Sequence, residues 1–245
     1  MSPSLTPSRK LIVDVGMHSG QDTAFYLKKG FNVVAIEANP TLAEAARQRF
    51  AGAIAANRLC ILNCGVADHA GELDFIVNHS DDAWSSFVHE VGARGGAFDI
   101  RPVPVDTLDA LLSPFPTPHY VKIDIEGHDQ HALDGIGRMA EKPRYVSVEN
   151  GFLPMLDRLK RFGYTGFKWI NQATVPDQRV PLLPREGGPC LHRFEFGASG
   201  LFGRETPGDW LSADAVATLI SEYWDHPQLD AQTHGWFDLH ARLDD

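Results

Sequence analysis

The stretch "LIVDVGMHSGQDT" (residues 11–23) decides the fold. Leu11 to Val15 has the apolar, β-branched density of a strand buried on both faces, and it breaks at Gly16 and Gly20 before a helical pattern begins at Gln21. Working outward, "KLIVDV" (10–15), "QDTAFYLKKG" (21–30) and "FNVVAIE" (31–37) alternate strand, helix, strand, and a second helix opens at Asn39-Pro40. Such alternation predicts a parallel sheet with crossover helices. The punctuation agrees: Gly30 stops the first helix after Lys28 and Lys29, Asn39 suits an N-cap, and Pro40 suits the first helical position.

The rhythm continues downstream. "LCILNCGVAD" (59–68) reads as a third strand and "GELDFIV" (71–77) as a hairpin arm, while residues 78–101 lose periodicity and read as a long loop or lid. Order returns with "RPVPVDTLDALL" (101–112), a strand "HYVKIDIE" (119–126), a helix from about His128 to Met139, a strand "RYVSVEN" (144–150) and a helix "LPMLDRLKRFG" (153–163). "YTGFKWI" and "CLHRFEF" are expected to close the sheet as a strand pair, with one more helix near 212–225. The expected organisation is a frayed tail over 1–9 and one domain over 10–245, with the lid-like insertion at about 78–101 and a C-terminal extension over about 198–245.

Bulk properties narrow the function. With 43% apolar and 22% charged residues in 245, the chain has ordinary globular composition. A formal charge of -10 without a basic run repels a phosphate backbone, so nucleic acid is not an expected partner. Cys60, Cys64 and Cys190 cannot all pair, which fits a reducing cytoplasm. The opening "MSPSLTPSRK" lacks the apolar core of a signal peptide, and no run of 18 apolar residues suggests a membrane partner.

In doubly wound sheets the ligand sits at the carboxyl ends of the strands, so Asp14 to Gly20 is the first place to look. Gly16 permits positive φ or a close approach, and Gly20 relieves crowding at the helix start. A dinucleotide fingerprint needs glycine where His18 stands, which argues against a pyrophosphate. Glu37, ending the second strand, suits two ribose hydroxyls. Adenosine without pyrophosphate satisfies both features, and S-adenosyl-L-methionine is such a molecule. Asp14 is expected to meet the cationic end of its tail, Ala38 to flank Glu37, and Val66, Ala67 and Asp68 to flank adenine. The bland alternatives are a tight turn and an exposed strand-end charge.

"LIVDVGMHSGQDT", "VVAIEANP", "NCGVADHAGELDF", "VPVDTLDALL", "YVKIDIEGHDQHALDGI" and "RYVSVEN" occur in an order that resembles the FkbM-type methyltransferases. The similarity covers roughly residues 10–165; Asp129 stands where that family more often has Glu, and His18 where Asn is common. The resemblance implies a class I (Rossmann-like) α/β fold: a seven-stranded, mostly parallel sheet with helices on both faces and an antiparallel last strand. It also implies S-adenosylmethionine-dependent O-methylation of sugars or secondary metabolites.

An alcohol acceptor must lose its proton while held about 3 Å from the methyl carbon. Lys122, Asp124 and Glu126 alternate along one strand and point a carboxylate at the crevice. His128 and His131 follow, and Glu149 ends the next strand. Any of these can serve as general base, with Asp124 and Glu126 leading; a Lys122–carboxylate ion pair and surface histidines are the bland readings. Asp124, Glu126, Glu149 and a histidine have the ligand types for a divalent ion, but no metal is expected. Trp84, Ser85 and Ser86 in the lid and Glu149 are expected at the acceptor, and Trp224, Trp236, Phe237 and His240 line its pocket unless they merely pack the core. Arg204 offers a cation to an anionic acceptor. The runner-up readings are a nucleotide-linked oxidoreductase of NAD type and a non-catalytic adenosyl-cofactor-binding protein.

Overall fold

A computed structural model of the chain describes residues 5–6, 9–149, 152–226 and 235–244. In chain order its elements begin with β1 (Leu11–Val15), α1 (Gln21–Lys28), β2 (Asn32–Ile36), α2 (Pro40–Arg49), α3 (Ala51–Ala55) and β3 (Leu59–Leu62). The middle part comprises β4 (Gly65–Val66), β5 (Gly71–Asn78), α4 (His89–Gly92), β6 (Phe98–Asp106) and α5 (Leu108–Leu112). Then come β7 (Tyr120–Ile123), α6 (Asp129–Arg138), β8 (Tyr145–Glu149), α7 (Leu153–Arg161), β9 (Gly166–Asn171), α8 (Ala213–Trp224) and β10 (Phe237–Arg242).

Seven strands form one sheet in the order β3-β2-β1-β7-β8-β10-β9. β1 pairs in parallel with both β2 and β7, and β10 lies antiparallel between β8 and β9. This is the class I methyltransferase arrangement: a doubly wound half-order 3-2-1-4-5 carrying an antiparallel last strand. The chain winds outward from β1 to β3, leaves the sheet to build a second one (β4-β6-β5), and re-enters at β7 on the other side of β1. The winding therefore reverses between β1 and β7, which opens a crevice at their carboxyl ends.

Two-residue periodicity in β1 sorts the core onto both faces. Leu11, Val13 and Val15 join Leu133, Ile136, Leu156 and Val216 from α6, α7 and α8. Ile12 faces Phe25 and Tyr26 of α1, with Phe194 and Phe202 from the segment between β9 and α8. Asn39 caps α2 by accepting from Thr41 N–H at 3.0 Å, as its sequence predicts. Among the described residues no helix is long and apolar enough to cross a membrane.

Several sequence expectations are corrected. "LCILNCGVAD" is two strands in two sheets, β3 and β4. "CLHRFEF" is irregular: Leu191 and Phe196 are exposed while Phe194 is buried against Phe25, a spacing no strand face provides. β10 takes the expected place beside β9. The unpatterned stretch shrinks to residues 79–97, because β5 runs to Asn78 and β6 starts at Phe98. It is also fastened: Asn78 Nδ2 donates to the Gly92 carbonyl at 2.8 Å, and Asn78 Oδ1 accepts from Ser80 and Asp81 N–H. At the N-terminus Leu5 packs on the core, Thr6 N–H donates to Asn57 O and Arg9 donates to Gly30 O, so these residues are held; positions 1–4 and 7–8 lie outside the described residues.

Candidate active site

The crevice is a cavity of about 470 Å³, a size that suits a small-molecule ligand. From the predicted cofactor set it takes Gly16, His18, Glu37, Ala38 and Val66; from the predicted chemistry it takes Trp84, Ser85, Asp124, Glu126 and Glu149. Strand ends bring them together, since Gly16 follows β1, Glu37 follows β2, Asp124 follows β7 and Glu149 ends β8.

The glycine turn is shaped by its neighbours. Gly16 has φ of 82°, and a Cβ there would collide with the Asp124 carbonyl oxygen, so the missing side chain lets β1 and β7 leave the sheet side by side. A Cβ on Gly20 would meet the Phe50 ring. His18 adopts φ of 49°, a left-handed conformation unusual for a residue with a side chain. That bend points its N–H at Glu37 Oε2, 2.7 Å away, while its Nε2 lies 2.9 Å from Asp82 Oδ1 in the loop after β5.

Glu37 is only 7% exposed and lines the cavity. Its Oε1 accepts Asn39 N–H at 2.8 Å, so both oxygens are anchored by backbone donors, and each retains a lone pair. Burial raises its pKa, and the Asn39 and His18 N–H groups act against that rise. Such a fixed, twice-anchored carboxylate fits the vicinal hydroxyls of an adenosyl ribose. The apolar side chains of Leu42, Val66, Phe75 and Phe87 line the same cavity and suit a purine.

The other end is acidic. Oxygens of Asp124, Glu126 and Glu149 all lie within 4.8 Å of one another. Lys122 sits behind them, 4% exposed, donating to the Gly16 carbonyl at 2.7 Å and lying 3.3 Å from Asp124 Oδ2 and 3.6 Å from Asp14 Oδ1. Burial alone would raise the Asp124 pKa, but Lys122 and a hydrogen bond shared with Glu149 hold it below the ordinary value. Glu149 goes the other way: burial, with the Asp124 carboxylate beside it, pushes its pKa well up. Glu126 is pushed up to about 7 by burial and by Asp124 and Asp129. One cavity thus holds a carboxyl kept below its ordinary pKa, one pushed well above it and one that titrates near neutrality.

Residues 14–165 match the methyltransferase FkbM domain, more than half of the chain. The chain belongs to the FkbM methyltransferase family. Its methyl donor is S-adenosylmethionine, so the oxidoreductase reading gives way. An FkbM methyltransferase from Methylobacillus flagellatus KT is similar at 20% identity and a TM-score of 0.41, over 58% of this chain and 32% of that one. The chain spans about a third of that protein's length. A precorrin-6y C5,15-methyltransferase from Geobacter metallireducens GS-15 is similar at 12% identity and a TM-score of 0.41, over 96% of this chain and 80% of the other. A SAM-dependent O-methyltransferase from Thermotoga maritima gives 9% identity and a TM-score of 0.42, over 96% of this chain and 60% of the other. No curated protein matches the chain.

Within this FkbM-family chain several predicted site residues do not line the cavity, Asp68, His131, Trp224 and Phe237 among them. Asp14 is fully buried behind the turn, where Thr23 Oγ1 donates to its Oδ2 at 2.6 Å and Lys122 stands nearby, so it orders the turn from behind the cavity wall. Gly20 starts α1, and Ala67 is buried beyond Val66. Ser86 turns inward and donates to the Glu126 carbonyl at 2.6 Å, which holds the loop to the acidic end. His128 stacks on Phe87 and its Nδ1 lies 3.2 Å from the Val66 carbonyl. His240 is buried in β10, paired with Ser147 and Lys168, and burial drives its pKa down to about 3, so it stays neutral.

The alternation of Lys122, Asp124 and Glu126 is also corrected. β7 ends at Ile123, and Glu126 reaches the cavity from a turn with φ of 46°. Arg204 is committed to Glu186, its Nε 3.0 Å from Oε1, so it is no anion site in the cavity. Trp236 lines the cavity, against Phe196 with ring centroids 5.5 Å apart. Phe196, Asp81, Asp82 and Phe87 also line it and were invisible from spacing, because each is set by loop closure rather than by a repeat; Phe75 joins them from β5.

Proposed function

We propose that the chain transfers a methyl group from S-adenosylmethionine to a hydroxyl of a small molecule or glycan, with Glu126 as general base. The observation that carries this reading is that the anchored Glu37 carboxylate and the Asp124–Glu126–Glu149 acids open into one cavity. When bound, S-adenosylmethionine supplies an electrophilic methyl group. Glu37 would hold its ribose, Val66 and Phe87 would bound its adenine, and Asp124, its pKa kept down by Lys122, would face its positive end.

A hydroxyl attacks effectively only as its proton leaves. The best base for that step has a pKa near the working pH, and Glu126 at about 7 meets the condition better than Asp124, which binds its proton too weakly. With S-adenosylmethionine bound, the acceptor oxygen would bond to the methyl carbon as the methyl–sulfur bond breaks with its electron pair left on sulfur, and the hydroxyl proton would pass to Glu126. Trp84, Ser85 and Trp236 exclude water and orient the acceptor. The net charge of -10 supports a small acceptor over a nucleic acid.

Labelled methyl transfer from S-adenosylmethionine into a small-molecule extract tests the reading. Glu126→Gln is expected to keep S-adenosylhomocysteine affinity and lose about 10²–10⁴-fold in turnover. Undiminished turnover removes Glu126 as base, and label recovered in nucleic acid instead of a small molecule or glycan contradicts the acceptor class.

A further inference from the structure

The acidic end of the cavity contains more carboxyl groups than its cations can answer. Apart from Glu37 and Asp22, whose oxygens accept Ser199 N–H, the cavity is lined by Asp81, Asp82, Asp124, Glu126 and Glu149, and its basic side chains are Lys122 and His18. Both are committed: Lys122 to the Gly16 carbonyl, Asp14 and Asp124, and His18 to Asp82. Glu149 is 7% exposed, yet its Oε2 finds no partner among the described residues. A buried carboxyl oxygen left without a donor beside a cavity calls for one from the ligand. Trp84, Phe196 and Trp236 line the same cavity.

We propose that the acceptor carries a cationic amine close to the hydroxyl that is methylated, the ammonium seated among Asp124, Glu126 and Glu149 and packed by Trp84, Phe196 and Trp236. This rests on the methyl-transfer reading above. An ammonium offers three donors at about 2.9 Å in tetrahedral directions, which reach oxygens about 4.7 Å apart; the three carboxyl groups lie within 4.8 Å of one another. Aromatic rings add cation–π attraction for an organic ammonium, whereas a divalent ion keeps a shell of oxygen ligands that these rings do not supply. The same charge pattern rejects phosphorylated or carboxylated acceptors. While protonated the amine has no free electron pair, so the oxygen remains the nucleophile. The burial and mutual repulsion that push up Glu149 and Glu126 are countered by a cation placed between them.

The test uses the full chain saturated with S-adenosylhomocysteine and titrated with glucosamine, N-acetylglucosamine and glucuronate, in EDTA and then with Mg²⁺. Glucosamine is expected to bind at least ten-fold more tightly than the other two, without metal, and Glu149→Gln is expected to reduce that preference. No preference among the three, preference for the neutral or anionic sugar, or binding that appears only with Mg²⁺ overturns the inference. Failure of S-adenosylhomocysteine itself to bind, measured first, counts against the methyltransferase reading instead.

Discussion

Glu126 shows how much of a site's chemistry lies in placement rather than in residue type. "KIDIEG" contains two carboxylates that look equivalent in sequence, and the structure divides their roles. Asp124 is pulled below its ordinary pKa by Lys122, while Glu126 is raised to about 7 by burial and by its acidic neighbours. A base works only when deprotonated, so kcat/KM is expected to rise as pH increases through about 7, and Glu126→Asp is expected to move that limb; a profile flat from pH 5.5 to 8.5 contradicts the assignment. The place of Glu37 in the cavity was legible because an acid closing the strand after a glycine turn stands at the sheet's carboxyl edge. Asp14 was misread because nothing in sequence told that Lys122 and Thr23 enclose it. His128 and His240 were misread for a related reason: a histidine's partners depend on tertiary neighbours, here Phe87 and the strands flanking β10.

Elements that alternate in period were readable, and those defined by closure were not. β1, β2, β7 and β8 declare themselves as apolar runs because both faces are covered, and α1 and α2 by their punctuation. The stretch between β9 and α8 has no such signature, yet it is bound to α1 and its C-terminal turn by polar side chains. Both Asp22 oxygens accept Ser199 N–H at 3.1 Å, and Lys29 Nζ pairs with Glu205 at 2.9 Å, both side chains fully buried. Removing one partner of a buried pair leaves an uncompensated charge, so Lys29→Met is expected to cost about 3–5 kcal/mol in urea unfolding, far from the cavity. A change below about 1 kcal/mol would mean that the pair contributes little to joining this segment to the sheet.

Across the whole molecule, the segment that looked like an appendage completes the core. Phe202 is fully buried, stacked on Tyr120 at 4.9 Å between ring centroids and edge-on to Phe25, Tyr26 and Phe31. Phe202→Ala is therefore expected to destabilise the entire domain by about 3–5 kcal/mol in one cooperative transition. A separate early transition, with the rest unmoved, would make the segment an independent unit. The same segment brings Phe196 to the cavity, so acceptor recognition and folding share one piece of chain.

The account as a whole depends on an adenosyl group held by Glu37. Calorimetric titration of the protein with S-adenosylhomocysteine measures that directly: wild type is expected to bind, and Glu37→Ala to bind at least about ten-fold more weakly, since hydrogen bonds to a charged group contribute about 1.5–3 kcal/mol. Equal affinity in the two proteins, or no binding in either, contradicts it.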